Sequence, residues 1–146
     1  MSPDDSAAIA RRFLEAAGRG DIDTIVALLS EDATWWVPRP FGERIASAAG
    51  GRFPAEGPVR GRTAILTEFV GPVQALLVPG SQRLRIDEVI GDGAKVVVLM
   101  HVDADIVAGG TYTNDFSVFF EVRDGRIVAV REYLDTLYAI EKLASH

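Results

Sequence analysis

Four strand-like runs separated by very short turns fill the second half of the chain, at Arg83–Ile90, Lys95–Asp105, Tyr112–Arg123 and Arg126–Leu134. The punctuation between them is Gly91-Asp92-Gly93, Gly109-Gly110 and Asp124-Gly125, each a turn signal of the hairpin kind. Connections this short cannot cross over a sheet, so neighbouring strands must run antiparallel as a meander.

The first half reads as helical. Ala7, Ile9, Ala10, Phe13, Leu14 and Ala17 recur at helical spacing until Gly18 and Gly20 stop the run. Asp21 is placed to N-cap a second helix whose buried stripe is Ile22, Ile25, Val26 and Leu29. A third helix is predicted over Thr63–Leu77, kinked or broken at Gly71-Pro72. Between them Pro38–Gly61 carries four prolines and five glycines, shows no period, and reads as one long loop, either a functional lid or a tolerated insertion. Asp135 can N-cap a closing helix over Thr136–Ala144, and Asp32 reads as part of a connection into the first strand. Helices followed by an antiparallel meander define an α+β class, here one domain over 1–146 with helices packed on one side of the sheet.

Alternation along each strand sorts its side chains onto two faces. In the last strand Val128, Val130, Glu132 and Leu134 share a face, which sets a carboxylate among aliphatic neighbours, where it is costly to keep charged. A sheet-end carboxylate paired with an arginine is the plain structural alternative. The strand Lys95–Asp105 is apolar on both faces through its middle, and His101 and Asp103 lie two apart on one of them. Helices can cover only one side of the sheet, so a second layer is expected on the other, most simply another copy of the chain as a symmetric dimer. In the third strand Asn114 and Phe116 share a face with Val118, Phe120 and Val122. Trp35 and Trp36 can form an aromatic wall, although aromatic side chains at this density also serve as plain core.

Composition narrows the partners. A net charge of −6 argues against nucleic acid, whose phosphates need a basic face. The longest unbroken apolar run, Val96–Met100, is far too short for a bilayer, and the acidic opening lacks the apolar stretch of a signal peptide. There is no cysteine, so thiolate metal sites and cysteine nucleophiles are excluded, and a cytoplasmic setting is expected. Only two histidines are present, one of them the C-terminal His146, so no metal site is expected.

Phe13-Leu14-Glu15-Ala16-Ala17 through Gly20-Asp21-Ile22-Asp23, then Leu28-Leu29-Ser30-Glu31-Asp32-Ala33, resembles the opening of SnoaL-like proteins of the nuclear transport factor 2-like superfamily. Asn114-Asp115-Phe116, Asp124-Gly125-Arg126-Ile127 and Arg131-Glu132-Tyr133-Leu134-Asp135 resemble the family's closing hairpin. The resemblance implies a cone-shaped roll of N-terminal helices on a curved antiparallel sheet enclosing a pocket. It specifies fold far more than function, because this fold hosts many chemistries. Ketosteroid isomerase is a relative, but the positions matching its tyrosine and two aspartates are the apolar Phe13, Val37 and Val118. Limonene epoxide hydrolase is nearer in the sheet: its Asp–Arg–Asp set falls on Asp103, His101 and Glu132, and its water-holding pair falls near Thr34 and Trp36.

Together these readings predict a cofactor-independent acid/base enzyme for a small, largely apolar substrate, of isomerase, cyclase, dehydratase or epoxide hydrolase type. Asp103 is the expected base, Glu132 the expected acid and His101 the residue that orients or shares the proton. Phe13, Trp35, Trp36, Phe69, Asn114 and Phe116 are the expected substrate-binding residues. The alternatives are a non-catalytic binding module of the same fold, and a dimerisation domain with a filled core.

Overall fold

The computed structural model describes residues 3–144, so His146 lies outside the described residues. Two helices, α1 (Pro3–Arg19) and α2 (Ile22–Leu28), precede strand β1 (Leu29–Trp36). Asp21 caps α2, accepting the Thr24 backbone N–H at 3.2 Å and the Thr24 hydroxyl at 2.7 Å. Asp32 belongs to β1 itself rather than to a connection before it.

The segment expected to be a loop is partly ordered. It contains helix α3 (Arg39–Ala49) and a two-residue strand β2 (Val59–Arg60). Pro38 and Pro40 are start signals here, because proline is tolerated in the first helical turn, where the N–H has no partner to lose. Gly50 ends α3 in the left-handed conformation, with φ of 75°. Only the stretch between α3 and β2 remains irregular.

The third helix is continuous through Gly71-Pro72 but changes its winding. An α-turn, α4 (Arg62–Ala64), passes into a π-helical segment (Ile65–Val70) and then into α5 (Gly71–Gln74). The Gly71 N–H bonds to the Leu66 carbonyl, five residues back. Proline at 72 cannot donate to Glu68, and the Glu68 carbonyl accepts the Arg52 N–H at 2.8 Å instead. Proline thus frees a carbonyl that ties the α3–β2 connection to the helix.

Strands β3 (Arg83–Asp92), β4 (Lys95–Asp105), β5 (Thr111–Arg123) and β6 (Arg126–Leu134) form the antiparallel meander. The six-stranded sheet has the order β2-β1-β6-β5-β4-β3, and β1 pairs with β6 in parallel. The sheet is therefore mixed rather than purely antiparallel. Helix α6 (Thr136–Leu143) closes the chain, capped by Asp135, whose carboxylate accepts the Tyr138 N–H at 3.0 Å. Phe13 of α1 anchors the helical layer to the sheet, 6.0 Å from the Trp35 ring and 5.9 Å from the Phe120 ring. Among the described residues no helix is long and apolar enough to cross a membrane.

Candidate functional site

Glu132 reaches the inner face of the sheet because β6 carries a bulge. Arg126 and Ile127 pair with Arg123 and Val122, and the register then shifts so that Ala129 pairs with Glu121. Val128 is the extra residue. Beyond it Val130 faces Phe120, Glu132 faces Val118 and Leu134 faces Phe116, all on the helix-covered side. Ile127 is fully buried on that side too, contrary to the simple alternation that set it opposite Val130 and Glu132.

The inner face and the helices enclose a cavity of about 150 Å³, room for one benzene-sized ring. Phe13, Trp35, Phe69 and Phe116, four of the six candidate binding residues, line it. Glu132 stands in this apolar wall, where burial pushes its carboxyl up to about 7 against a partial offset from the Trp35 indole. The Trp35 Nε1–H donates to Glu132 Oε1 at 2.8 Å. The described residues show no partner for the second carboxylate oxygen, which leaves it available to a ligand. A carboxyl poised near neutrality can accept or donate a proton with little change in pH.

His101 and Asp103 are elsewhere. The inward residues of β4 are Val96, Val98, Met100, Val102 and Ala104; His101 and Asp103 alternate with them and point to the opposite, outer face. The expected trio of His101, Asp103 and Glu132 is therefore divided by the sheet. On the outer face, His101 Nδ1 lies 2.8 Å from Asp115 Oδ1, and Nε2 lies 3.1 Å from Asp103 Oδ1 and 2.9 Å from Thr113 Oγ1. The Asp115 and Asp103 carboxylates hold the imidazole above its ordinary pKa, and the Thr113 hydroxyl, then His101, holds Asp103 below the usual carboxylate range. This is a charged surface cluster, with Arg85 and Asp87 beside it 2.7 Å apart.

Two expected binding residues also change place. Trp36 lies on the outer face, its ring 4.4 Å below the Arg131 guanidinium and 5.1 Å from Tyr133. Asn114 is buried but does not line the cavity; its side chain bonds Tyr112 and the backbone of Asp115 and Asp135. Residues that sequence reasoning missed include Tyr112, Gln74 and Gln82, which supply polar groups to the cavity wall. Tyr112 continues the alternation of Asn114 and Phe116, a signal present in the sequence. Gln74 and Gln82 bond each other across the chain reversal before β3, and nothing in the local pattern announces that pair.

Helices packed on one face of a curved, mixed six-stranded sheet define the nuclear transport factor 2-like architecture. The chain belongs to the SnoaL-like domain family, whose model matches residues 10–130. Among solved structures, a nuclear transport factor 2-like protein of unknown function from Burkholderia pseudomallei K96243 is 26% identical, with a TM-score of 0.77 and all of both chains covered. TerC, co-crystallised with polyporic acid, is 25% identical with a TM-score of 0.75, covering 97% of this chain and 99% of its own. An epoxide hydrolase from M. tuberculosis, of the LEH-like type, shares the fold at 23% identity and a TM-score of 0.66, over 97% of this chain and 90% of its own. No curated protein matches the chain in sequence.

Proposed function

We propose that this protein is a cofactor-independent acid/base enzyme for a small, largely apolar substrate, of isomerase, cyclase, dehydratase or epoxide hydrolase type, with Glu132 moving the proton. The observation that carries this reading is the Glu132 carboxyl, near neutrality in an apolar cavity, with one oxygen held by Trp35. Fixing one oxygen orients the other towards whatever enters, and a cavity of this kind gives a single positioned group its greatest leverage. TerC, co-crystallised with polyporic acid, and the LEH-like epoxide hydrolase of the same fold support a small-molecule pocket here. The test is turnover of a panel of epoxides, enones and polyketide-like phenols by the wild type, Glu132→Gln and Asp103→Asn. Glu132→Gln is expected to lose about a hundredfold or more in rate, the scale of a general acid or base. Asp103→Asn, altered on the outer face, is expected to keep its rate. Turnover that survives in Glu132→Gln overturns the proposal.

One observation favours a second reading, a non-catalytic binding module: only one of the three expected acid/base residues faces the cavity. That reading predicts ligands that raise the melting temperature without being converted.

The partners in this proposal are a small apolar molecule in the cavity and a second copy of the chain on the outer sheet face, in a cytoplasmic setting without nucleic acid or membrane. The outer face carries Val97, Leu99 and Phe119 between Arg131 on one side and the acidic group around His101 on the other. A twofold axis through the apolar strip brings unlike charges together. Sedimentation of the wild type as a dimer and of Phe119→Glu as a monomer is the expected result; a monomeric wild type contradicts it.

A further inference from the structure

Gln74 and Gln82 form an amide pair in an otherwise apolar stretch of the cavity wall. Both are half-buried, and both line the cavity beside Gly18, Leu77, Leu84 and Val102. Gln74 ends α5, and Gln82 falls inward because it continues the alternation of Leu84 and Ile86 just before β3 begins. The chain reversal between them is pinned to the end of β4. The Val78 N–H donates to the Asp105 carbonyl at 2.8 Å and the Val107 N–H to the Leu76 carbonyl at 2.9 Å. The Ser81 hydroxyl donates to the Val78 carbonyl at 2.7 Å and accepts the Asp105 N–H at 3.0 Å. Backbone held this way presents the two amides to a ligand with little freedom left to lose.

The pair uses only part of its hydrogen-bonding capacity. Each amide has an oxygen that accepts and an NH₂ group that donates. One bond joins them, from Gln82 Nε2–H to Gln74 Oε1. Among the described residues Gln74 Nε2 and Gln82 Oε1 have no further partner. Exchanging the two roles leaves the same remainder, one NH₂ group and one carbonyl oxygen. No cation lines the cavity, and its one carboxyl, Glu132, stands on β6, three strands from β3 across the curved sheet.

We infer that this amide pair is a binding subsite for a neutral ligand group that donates and accepts a hydrogen bond at once, a carboxamide or a hydroxyl, at the end of the ligand remote from Glu132. The inference rests on the proposed small-molecule cavity and not on proton transfer by Glu132. A ligand oxygen accepts from Gln74 Nε2–H, and a ligand N–H or O–H donates to Gln82 Oε1. A carboxylate offers Gln82 no proton and meets no cation, and a ketone engages only half of the pair. A polar group left unmatched in an apolar wall is what makes such a site discriminate.

Probes of one shape on a phenyl ring separate these cases. Benzamide, acetophenone and α-methylstyrene differ by NH₂ against CH₃ and by C=O against C=CH₂; 1-phenylethanol and cumene differ by OH against CH₃. Binding is measured by calorimetry to the wild type, to the double variant Gln74→Met/Gln82→Met and to Glu132→Gln. Replacing both amides together leaves neither one unpaired, so the double variant is expected to keep its melting temperature. It is expected to bind benzamide, 1-phenylethanol or both about tenfold or more weakly than the wild type, the scale of two hydrogen bonds. Acetophenone is expected to lose less, and α-methylstyrene and cumene nothing; the probe that responds identifies the group. In the wild type the side-chain amide ¹H–¹⁵N signals of Gln74 or Gln82 are expected to move downfield with that probe and not with its apolar isostere, a readout independent of any variant. Amide signals that respond alike to probe and isostere overturn the inference, as do equal losses for every probe, no loss for benzamide or 1-phenylethanol, and a wild type that binds none of them. Benzamide affinity lost in Glu132→Gln and kept in the double variant places the polar end at Glu132 and also overturns it. Turnover that survives in Glu132→Gln, with discrimination still dependent on the amide pair, overturns the proposed acid and leaves the subsite standing.

Discussion

The indole of Trp35 and the carboxylate of Glu132, 97 residues apart in sequence, meet through a 2.8 Å hydrogen bond on the inner face of the sheet. The contact exists because β1 runs parallel to β6, with Trp35 paired to Val130 and Glu132 two residues further along the same face. The indole favours the charged form of an acid that burial otherwise pushes towards neutrality. Replacing Trp35 with Phe is expected to raise the Glu132 pKa above its value of about 7. Above that pH the variant is also expected to lose about 1–3 kcal/mol, the cost of a buried polar group left without its partner. Carboxyl titration followed by infrared difference spectra, with urea unfolding at pH 8.5, measures both effects. An unchanged pKa contradicts the assigned role of the indole.

The same acid makes stability depend on pH with a defined sign. Its folded pKa of about 7 lies above the ordinary glutamate value of 4.5, so the native state holds a proton that the unfolded chain has released. The contribution is complete below about pH 4.5 and disappears as pH rises through about 7, a change on the order of 3 kcal/mol. Glu132→Gln lacks this loss. Its stability relative to the wild type is therefore expected to improve between pH 5 and pH 8.5, measured by urea unfolding. A constant difference between the two proteins contradicts the burial of the charge.

On the outer face the sign is that of a histidine with a raised pKa. The carboxylates of Asp115 and Asp103 stabilise the folded imidazolium, so the contribution of His101 is full below its unfolded pKa and lost as pH rises through the higher folded one. His101→Gln is expected to be destabilised at pH 6 and nearly neutral at pH 8.5. Ligand affinity in the cavity is expected to stay unchanged, because the sheet separates the two sites. A pH-independent stability difference, or a fall in cavity affinity, contradicts this placement.

Gly51 tests the tie between the α3–β2 connection and the π-helical wall. A Cβ at this position meets the Glu68 carbonyl oxygen at 2.1 Å, which leaves no room for even a methyl group. Gly51→Ala is expected to cost about 1–3 kcal/mol, as overpacking does. It is also expected to weaken ligand binding, since Phe69, Val70 and Val73 on the displaced helix line the cavity. Thermal unfolding and ligand titration check the two effects.

The meander, the first two helices and the capping roles of Asp21 and Asp135 were legible because period and turn chemistry are local signals. Pro38, Pro40 and Gly50 misled because the residues that break helices also begin and end them, and only position distinguishes the two uses. Glu132 was singled out by its aliphatic neighbours, yet its direction depends on the Val128 bulge. Unbroken pairing from the Asp124-Gly125 turn would set Glu132 opposite Ser117, on the outer face. His101 and Asp103 were misplaced for a related reason. Both faces of β4 are apolar at its centre, so its composition does not say which side the helices cover. The parallel pairing of β1, which brings Trp35 to Glu132, is a long-range event that no local pattern announces.

The most direct test of the central claim is a carboxyl ¹³C titration of selectively labelled glutamate in the wild type, with Glu132→Gln to assign the resonance. A Glu132 midpoint near pH 7, moving when a cavity ligand binds, is the predicted result. A midpoint in the ordinary carboxylate range, indifferent to ligand, contradicts a buried acid poised for proton transfer.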